Sequence, residues 1–224
     1  GESFFRLITE IFLGEQMILE VFCEQQDERA HQQLKINSQI TPRGQFVRLA
    51  PVISFLPEDL NLLTHSPANR RRFLDETLSA ASPEYRQAST QYNQALKQRN
   101  QALEQRSDLE IWDEQLANFG SQITSARKKF ITFINNKLGS VLSEISSELK
   151  TAAALYHSIG EVEKSGFLAR LQQNRRKDQQ LLTTSVGPHR DDFELFDNNH
   201  HTIAGYLSRG QLRAITLALK ILER

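Results

Sequence analysis

The sequence predicts a mixed fold of the α+β or α/β class, a head split by an inserted antiparallel pair of long helices. Three observations predict it. Residues 1–65 are rich in β-branched and aromatic runs, 66–150 carry long stretches of helical periodicity, and 151–224 alternate short strands with helices. These are the three expected domains: a β-rich part of the head, a helical arm, and a mixed remainder of the head.

The elements follow in order. Met17 to Phe22 (MILEVF) and His31 to Ile36 read as strands, and the polar EQQDERA between them makes a hairpin. Thr41 to Gly44 (TPRG) is a turn signal, and Val47 to Leu56 is another β-branched run that ends at Pro57. Ser66-Pro67 and Ser82-Pro83 each place a cap before a proline at the first helical position. After Ser82, Tyr85, Ala88, Tyr92, Ala95, Arg99 and Ala102 alternate spacings of three and four, a heptad seam. Beyond a break near Ser107 the rhythm resumes at Leu116, Ile123, Phe130, Phe133, Leu138, Val141 and Ile145. Two long helices with a short break fold back on each other. Gly120 and Gly139 are expected to bend or split the second one. Ala152 to His157 reads as a strand, Gly166 to Leu182 as a helix, and Gly187-Pro188 as a turn. Asp192 to Phe196 and Thr202 to Tyr206 read as two strands around the turn residues Asp197 to Asn199. Leu212, Ile215, Leu219 and Leu222 then mark one face of a final helix.

Composition narrows the function. Lys and Arg number 27 and Asp and Glu number 27, so any basic surface is local. The single cysteine, Cys23, excludes an internal disulfide framework and fits a reducing compartment. No apolar run approaches the roughly 20 residues that span a bilayer, and the first residues lack the features of a signal peptide. A cytoplasmic protein without a membrane partner is expected. The chain has no Met at residue 1, and its last helix is still in rhythm at Leu222, which reads as an internal piece of a longer protein.

Four motifs carry the chemistry. In YLSRGQLRAITLALK (206–220) Ser208 stands at the N-cap of the last helix. A helix N-terminus presents unpaired N–H groups and a positive dipole end, and Gly210 lets a phosphate come close. The alternative is an ordinary capped helix. In TTSVGPHRDD (183–192) Gly-Pro fixes a turn, and His189, Arg190 and two aspartates follow. The alternative there is a polar turn with local ion pairing. In PVISFLPEDLNL (51–62) an apolar run ends in Pro57, Glu58 and Asp59, acids that hold Mg²⁺ or water near a nucleotide or else complement a helix dipole. Arg70, Arg71, Arg72 and Arg175, Arg176, Lys177 are clusters that neutralise DNA phosphates or form a solvated face. His189 and Arg190 are further DNA candidates. No metal-ligand cluster is expected. None of the ten glycines precedes a lysine, so a G-x-x-x-x-G-K-[ST] loop is absent, and there is no G-x-S-x-G.

Together FLPEDLNLLTHSPANRRRFLDE (55–76), YNQALKQRN (92–100), LEIWDEQLA (109–117), TTSVGPHRDDFEL (183–195) and YLSRGQLRAITLALK (206–220) resemble the RecF family. These are bacterial recombination-mediator ATPases related to the structural-maintenance-of-chromosomes proteins. The resemblance spreads over most of the chain and holds only in outline for residues 1–50. It implies an ABC-type ATPase head with a short arm, ATP with Mg²⁺ as cofactor, and dimerisation when ATP is bound. It implies gapped or double-stranded DNA, RecR, RecO and RecA as partners, and a bacterial cytoplasmic, nucleoid-associated location. Ser208, Arg209, Gly210 and Gln211 would then be a signature motif that completes the nucleotide site of a second subunit. Pro57, Glu58 and Asp59 would fall in a Q-loop-like segment. No catalytic residue is assigned, because the phosphate-binding loop and the Walker B strand match nothing here, and no ATP hydrolysis by this chain alone is expected. Two rivals remain. One is another head of the same superfamily, disfavoured because the two long helices of the arm, from Pro83 to Ile145, take only about 65 residues. The other is a non-enzymatic helical interaction module in which LSRGQ is a chance cap.

Overall fold

A computed structural model describes residues 4–12, 14–26, 29–49, 55–146, 152–159, 163–197 and 201–223. It divides into two compact units, 1–54 and 55–224. In the first, β1 (Phe4–Phe12), β2 (Gln16–Gln26), β3 (Arg29–Ile36) and β4 (Gln39–Ile40) form an antiparallel sheet in chain order. The expected β2–β3 hairpin is present, with Leu19 opposite Ile36 and Glu24 opposite His31. β1 was not foreseen, because its apolar residues fall on both faces. Directly opposed residues share a face, and Phe5–Cys23, Leu7–Val21, Val21–Leu34 and Leu19–Ile36 give one apolar face. On the other, Glu20 takes two hydrogen bonds of 3.0 Å from Arg6.

The expected strand over 47–56 is corrected where it is described. Arg43–Leu49 form helix α1, and residues 50–54 lie outside the described residues. Pro42 initiates α1 rather than closing a turn, since its carbonyl accepts from Gln45 and Phe46. A proline suits that place because a helix start does not need its missing N–H.

The second unit opens with a 3₁₀ turn, Pro57–Leu60, and the short α2 (Asn61–Thr64). It continues with α3 (Pro67–Ala81), α4 (Pro83–Gln105) and α5 (Glu110–Ile145). All six seam residues named for α4 are buried. They meet α5 in seven-residue steps that run in opposite directions. Arg99 bonds Asp113, Tyr92 lies against Gly120, and Tyr85 bonds Arg127. That is an antiparallel hairpin. Arg106 ends α4 in the left-handed conformation, with Ser107 N–H on the Ala102 carbonyl.

Two expectations for α5 fail. The helix is continuous through Gly120 and Gly139. Gly120 serves close packing, because a Cβ there would lie 2.7 Å from the Phe167 ring. Phe133 is exposed and stacks on Phe130. Ile131, Ile134, Leu138 and Leu142 face the core in its place.

β5 (Ala153–His157) pairs antiparallel with β6 (Asp192–Phe196), and α6 (Lys164–Leu181) lies between them in sequence. The strand expected over Thr202–Tyr206 is also corrected. Only Thr202 pairs, with Phe196, and Ile203–Tyr206 form the short helix α7. Ile203 is buried in the core with Leu207 packed beside it, and Leu207 N–H bonds the Ile203 carbonyl at 3.3 Å, the i to i+4 bond of a helical turn that a strand does not make. Residues 198–200 of the expected turn lie outside the described residues. α8 (Arg209–Leu222) buries Leu212, Ile215, Leu219 and Leu222 against α2, α3, α5 and the β5–β6 pair. Each such burial is worth about 1.5–3 kcal/mol, so α8 is firmly seated and its N-terminus has a defined position.

Candidate functional site

The mouth of α8 is built as a reciprocal cap. Ser208 Oγ accepts from Gln211 N–H at 3.3 Å, and Gln211 Oε1 accepts from Ser208 N–H at 2.9 Å. The N–H groups of Arg209 and Gly210 carry no hydrogen bond among the described residues. Ser208, Arg209 and Gly210 are exposed. A Cβ added to Gly210 would meet nothing nearer than Ser208 Oγ at 3.9 Å, so the approach is open. Ser208, Gly210 and Gln211 line a groove of about 720 Å³, whose far wall holds Phe55, Pro57 and Ile145. The positive end of a fourteen-residue helix thus faces space large enough for a phosphate-bearing ligand.

The structure brings the Pro57–Asp59 turn to the same helix. Asp59 Oδ2 caps the turn by accepting from Leu56 N–H at 2.6 Å, and Asp59 Oδ1 takes Lys220 Nζ of α8 at 2.9 Å. Burial alone would raise the Asp59 carboxyl, but the Leu56 and Lys220 bonds outweigh it and hold the group below its ordinary value. Glu58 lines a separate small cleft of about 80 Å³ with Asp59, Lys220 and Glu223. No group of three or more His, Cys, Asp or Glu positioned for a metal occurs among the described residues.

The Thr183–Asp192 segment is stitched to the helical hairpin at three of the six seam positions of α4, Tyr85, Tyr92 and Arg99. At the first, Arg127 joins Tyr85 and donates to the Pro188 carbonyl at 2.7 Å. At the second, Tyr92 OH meets His189 Nδ1 at 2.7 Å. At the third, Arg99 donates to Asp178 at 2.7 Å and to Thr184 Oγ1 at 2.9 Å. His189 Nε2 lies 3.0 Å from the Thr184 carbonyl, which only accepts. Nε2 therefore carries the proton, and Nδ1 accepts from Tyr92 OH. Burial pushes His189 down to about 4, so the ring is neutral at neutral pH. Gly187 has φ +132, and a Cβ there would lie 2.2 Å from Tyr92 OH. Only glycine fits this turn. Asp191 accepts from Tyr156 OH and from Ile159 N–H, and Asp192 pairs with Arg70 through two 2.7 Å bonds.

The basic candidates separate accordingly. Arg70 is paired with Asp192, and Arg175 donates to the buried Asp113 at 2.8 Å. Arg71 donates once, to the Asp191 carbonyl at 2.8 Å. Arg72, Arg176, Lys177 and Arg190 are exposed. Arg71, Arg72 and His189 come together around one pocket of about 300 Å³, floored by Arg127. Sequence reasoning singled out neither Arg127 nor Lys220. Arg127 had a signal, since Asp113 and Arg127 bracket Gly120 at the heptad interval that faces Arg99 and Tyr85. Lys220 had none, because its partner is 161 positions away.

No family model matches the chain. Curated relatives named DNA replication and repair protein RecF do. That of Clostridium tetani is 36% identical over 201 residues, 84% of this chain and 54% of the relative. That of Streptococcus uberis is 36% identical over 200 residues with the same shares. That of Thermoanaerobacter sp. is 33% identical over 205 residues, 85% of this chain and 56% of the relative. The chain thus spans about half the length of the curated relatives it matches. Two solved structures share its fold, both of the recombination mediator protein RecF of the RecFOR pathway. One, described with ATP, superposes with a TM-score of 0.71 at 25% identity over 99% of this chain and 62% of that one. The other, described with ATPrS, gives 0.68 at 26% identity over 99% and 63%. No helix among the described residues is long and apolar enough to cross a membrane. Shared sequence over more than four-fifths of the chain, with the same fold over nearly all of it, shows that this chain belongs to the RecF family.

Proposed function

We propose that this chain acts in recombinational DNA repair as part of a RecF-type ATPase, and that its Ser208–Gln211 helix mouth completes the nucleotide site of a second subunit. The open, capped N-terminus of α8 carries this reading. Two N–H groups without a hydrogen bond among the described residues and an exposed serine hydroxyl stand at this mouth, and Ser208 and Gly210 line a groove of about 720 Å³. These groups fit a terminal phosphate of ATP: amides and hydroxyl donate to its oxygens, and the helix dipole favours its charge. ATP brought with Mg²⁺ by the partner would supply the reactive phosphoryl group. This chain's own share is to bind and orient it. The Asp59–Lys220 ion pair holds the Q-loop-like turn of Pro57, Glu58 and Asp59 against the signature helix, so the groove keeps its wall.

DNA, gapped or double-stranded, and the RecR, RecO and RecA proteins are the partners that this reading assigns, with a nucleoid-associated location. The residues 66–150 form the arm and the flanking segments belong to the head.

The test is Ser208→Arg at the equivalent position of a full-length RecF, followed by sedimentation with and without ATP. A bulky cation at the helix mouth blocks phosphate approach, and ATP-dependent dimerisation should be lost while folding is retained. Dimerisation at the unaltered level would instead make the motif a helix cap and the chain an interaction module.

A further inference from the structure

One pocket is chemically distinct from the signature groove. It lies among α3, α4, α5 and the Gly187–Arg190 turn, and holds about 300 Å³. Its charge is one-sided. Arg71, Arg72 and Arg127 line it against the single carboxylate of Asp75. Asp75 Oδ1 already accepts from Arg127 at 2.6 Å and from Tyr85 OH at 2.5 Å, so that carboxylate is engaged within the wall. His189 adds no charge at neutral pH, because burial holds it down to about 4.

The donors that line the pocket keep spare capacity among the described residues. Arg71 uses one N–H, on the Asp191 carbonyl, which fixes its guanidinium at the rim. Arg72 makes only a loose 3.9 Å contact with Glu76. Ser89 and Asn93 stand one helical turn apart on α4 and both face the pocket. Ile123, Ala68 and Pro188 give it an apolar side. Paired guanidiniums, neutral hydroxyl and amide donors and a small apolar wall suit a tetrahedral anion with a sugar attached. A carboxylate-bearing peptide would leave the amide and hydroxyl donors on the α4 wall poorly matched, because its charge is planar and its chain needs more room.

The geometry points to this pocket as a phosphate site in which Arg71, Arg72, Ser89 and Asn93 hold one phosphodiester of a nucleic-acid backbone. The phosphate chemistry stands on the pocket, and the nucleic-acid source rests on the DNA-binding reading above. The pocket also gives the Gly187–Arg190 turn a second task. It seals the arm to the head and, through Pro188 and His189, forms one wall of the site.

Two measurements on the chain test this. First, inorganic phosphate is titrated while the Arg Nε–H signals are followed by NMR. Saturable shifts of Arg71 and Arg72 are expected, and that of Arg71 should vanish in the doubly substituted Arg72→Gln, Asn93→Leu chain. Both replaced side chains are exposed, so folding should survive. Second, binding of a short duplex is measured by anisotropy between about 50 and 200 mM salt. The double variant should lose about tenfold in affinity at 0.1 M salt, and the slope of log K against log salt should fall by about one, the loss of one phosphate contact. Absence of a phosphate response overturns the site. A response with unchanged duplex binding overturns the nucleic-acid source and leaves a smaller phosphorylated ligand. If the unaltered chain binds no duplex, the DNA reading fails, and the phosphate titration still decides the pocket.

Discussion

Replacing Gly187 with alanine asks whether the Gly-Pro-His-Arg turn truly locks the hairpin to the head. Two costs are readable. The backbone stands at φ +132, a region that is essentially glycine's, and holding another residue there costs about 1–3 kcal/mol. The new methyl would also lie 2.2 Å from Tyr92 OH and 3.2 Å from the Phe167 ring, and overpacking of that kind costs about 1–3 kcal/mol. The sum is about 4 kcal/mol, against a total of about 5–15 for a domain. Urea denaturation followed by circular dichroism reads it as a fall in the midpoint. Tyr92→Phe removes the clashing oxygen and also leaves His189 Nδ1 without its donor, at about 1–3 kcal/mol by itself. The double variant should therefore be more stable than the sum of the single losses predicts, by at least about 1 kcal/mol. A Gly187→Ala chain within about 0.5 kcal/mol of the parent, or strictly additive losses, would refute the lock.

Three further predictions concern the same unit. Arg99→Leu leaves Asp113 and Asp178 buried without their shared cation, and should cost about 3–5 kcal/mol by urea denaturation; a loss below about 1 kcal/mol would mean that water replaces the guanidinium. Because the folded pKa of His189 lies near 4 and the unfolded value near 6.5, the unfolded chain binds more protons between them, and stability falls as pH falls. From pH 7 to 5 this group should remove about 2 kcal/mol, and a His189→Gln chain should show a correspondingly flatter profile over that window. Lys220→Met should cost no more than about 1 kcal/mol, since the Asp59 pair is partly exposed, yet circular dichroism should still show α8 intact; loss of the helix would show that the pair, not the apolar face, seats it.

The helices of the hairpin were legible because local rules act within one segment. Ser82 Oγ caps Tyr85 N–H as its place before Pro83 announced, and each α4 seam residue is buried. Ser208 was equally legible as the N-cap of α8 from the apolar rhythm that follows it, and the structure adds the return bond from Gln211. Failures came where one local signal had two meanings. Gly120 reads as a helix breaker, but it is where the Phe167 ring approaches. Thr202–Tyr206 has strand-like residues, but past Thr202 the backbone closes on itself, with Gly205 N–H on the Thr202 carbonyl and Leu207 N–H on the Ile203 carbonyl.

The class of the fold, the hairpin, the caps of α4 and α8 and the residues that mark the family could be read from the chain, because periodicity and capping depend on neighbours within a few positions, although Ser66 before α3 makes no side-chain cap bond. The roles of the charged residues, by contrast, came from the fold. Arg70 and Arg175 look like free cations in the chain, and the fold gives each a carboxylate from 122 and 62 positions away. Arg71 and Arg72 sit beside Arg70 in the sequence, yet the fold turns them toward an open pocket. A charge's role depends on what stands within about 4 Å of it, and for these arginines that neighbour is set by how distant segments pack.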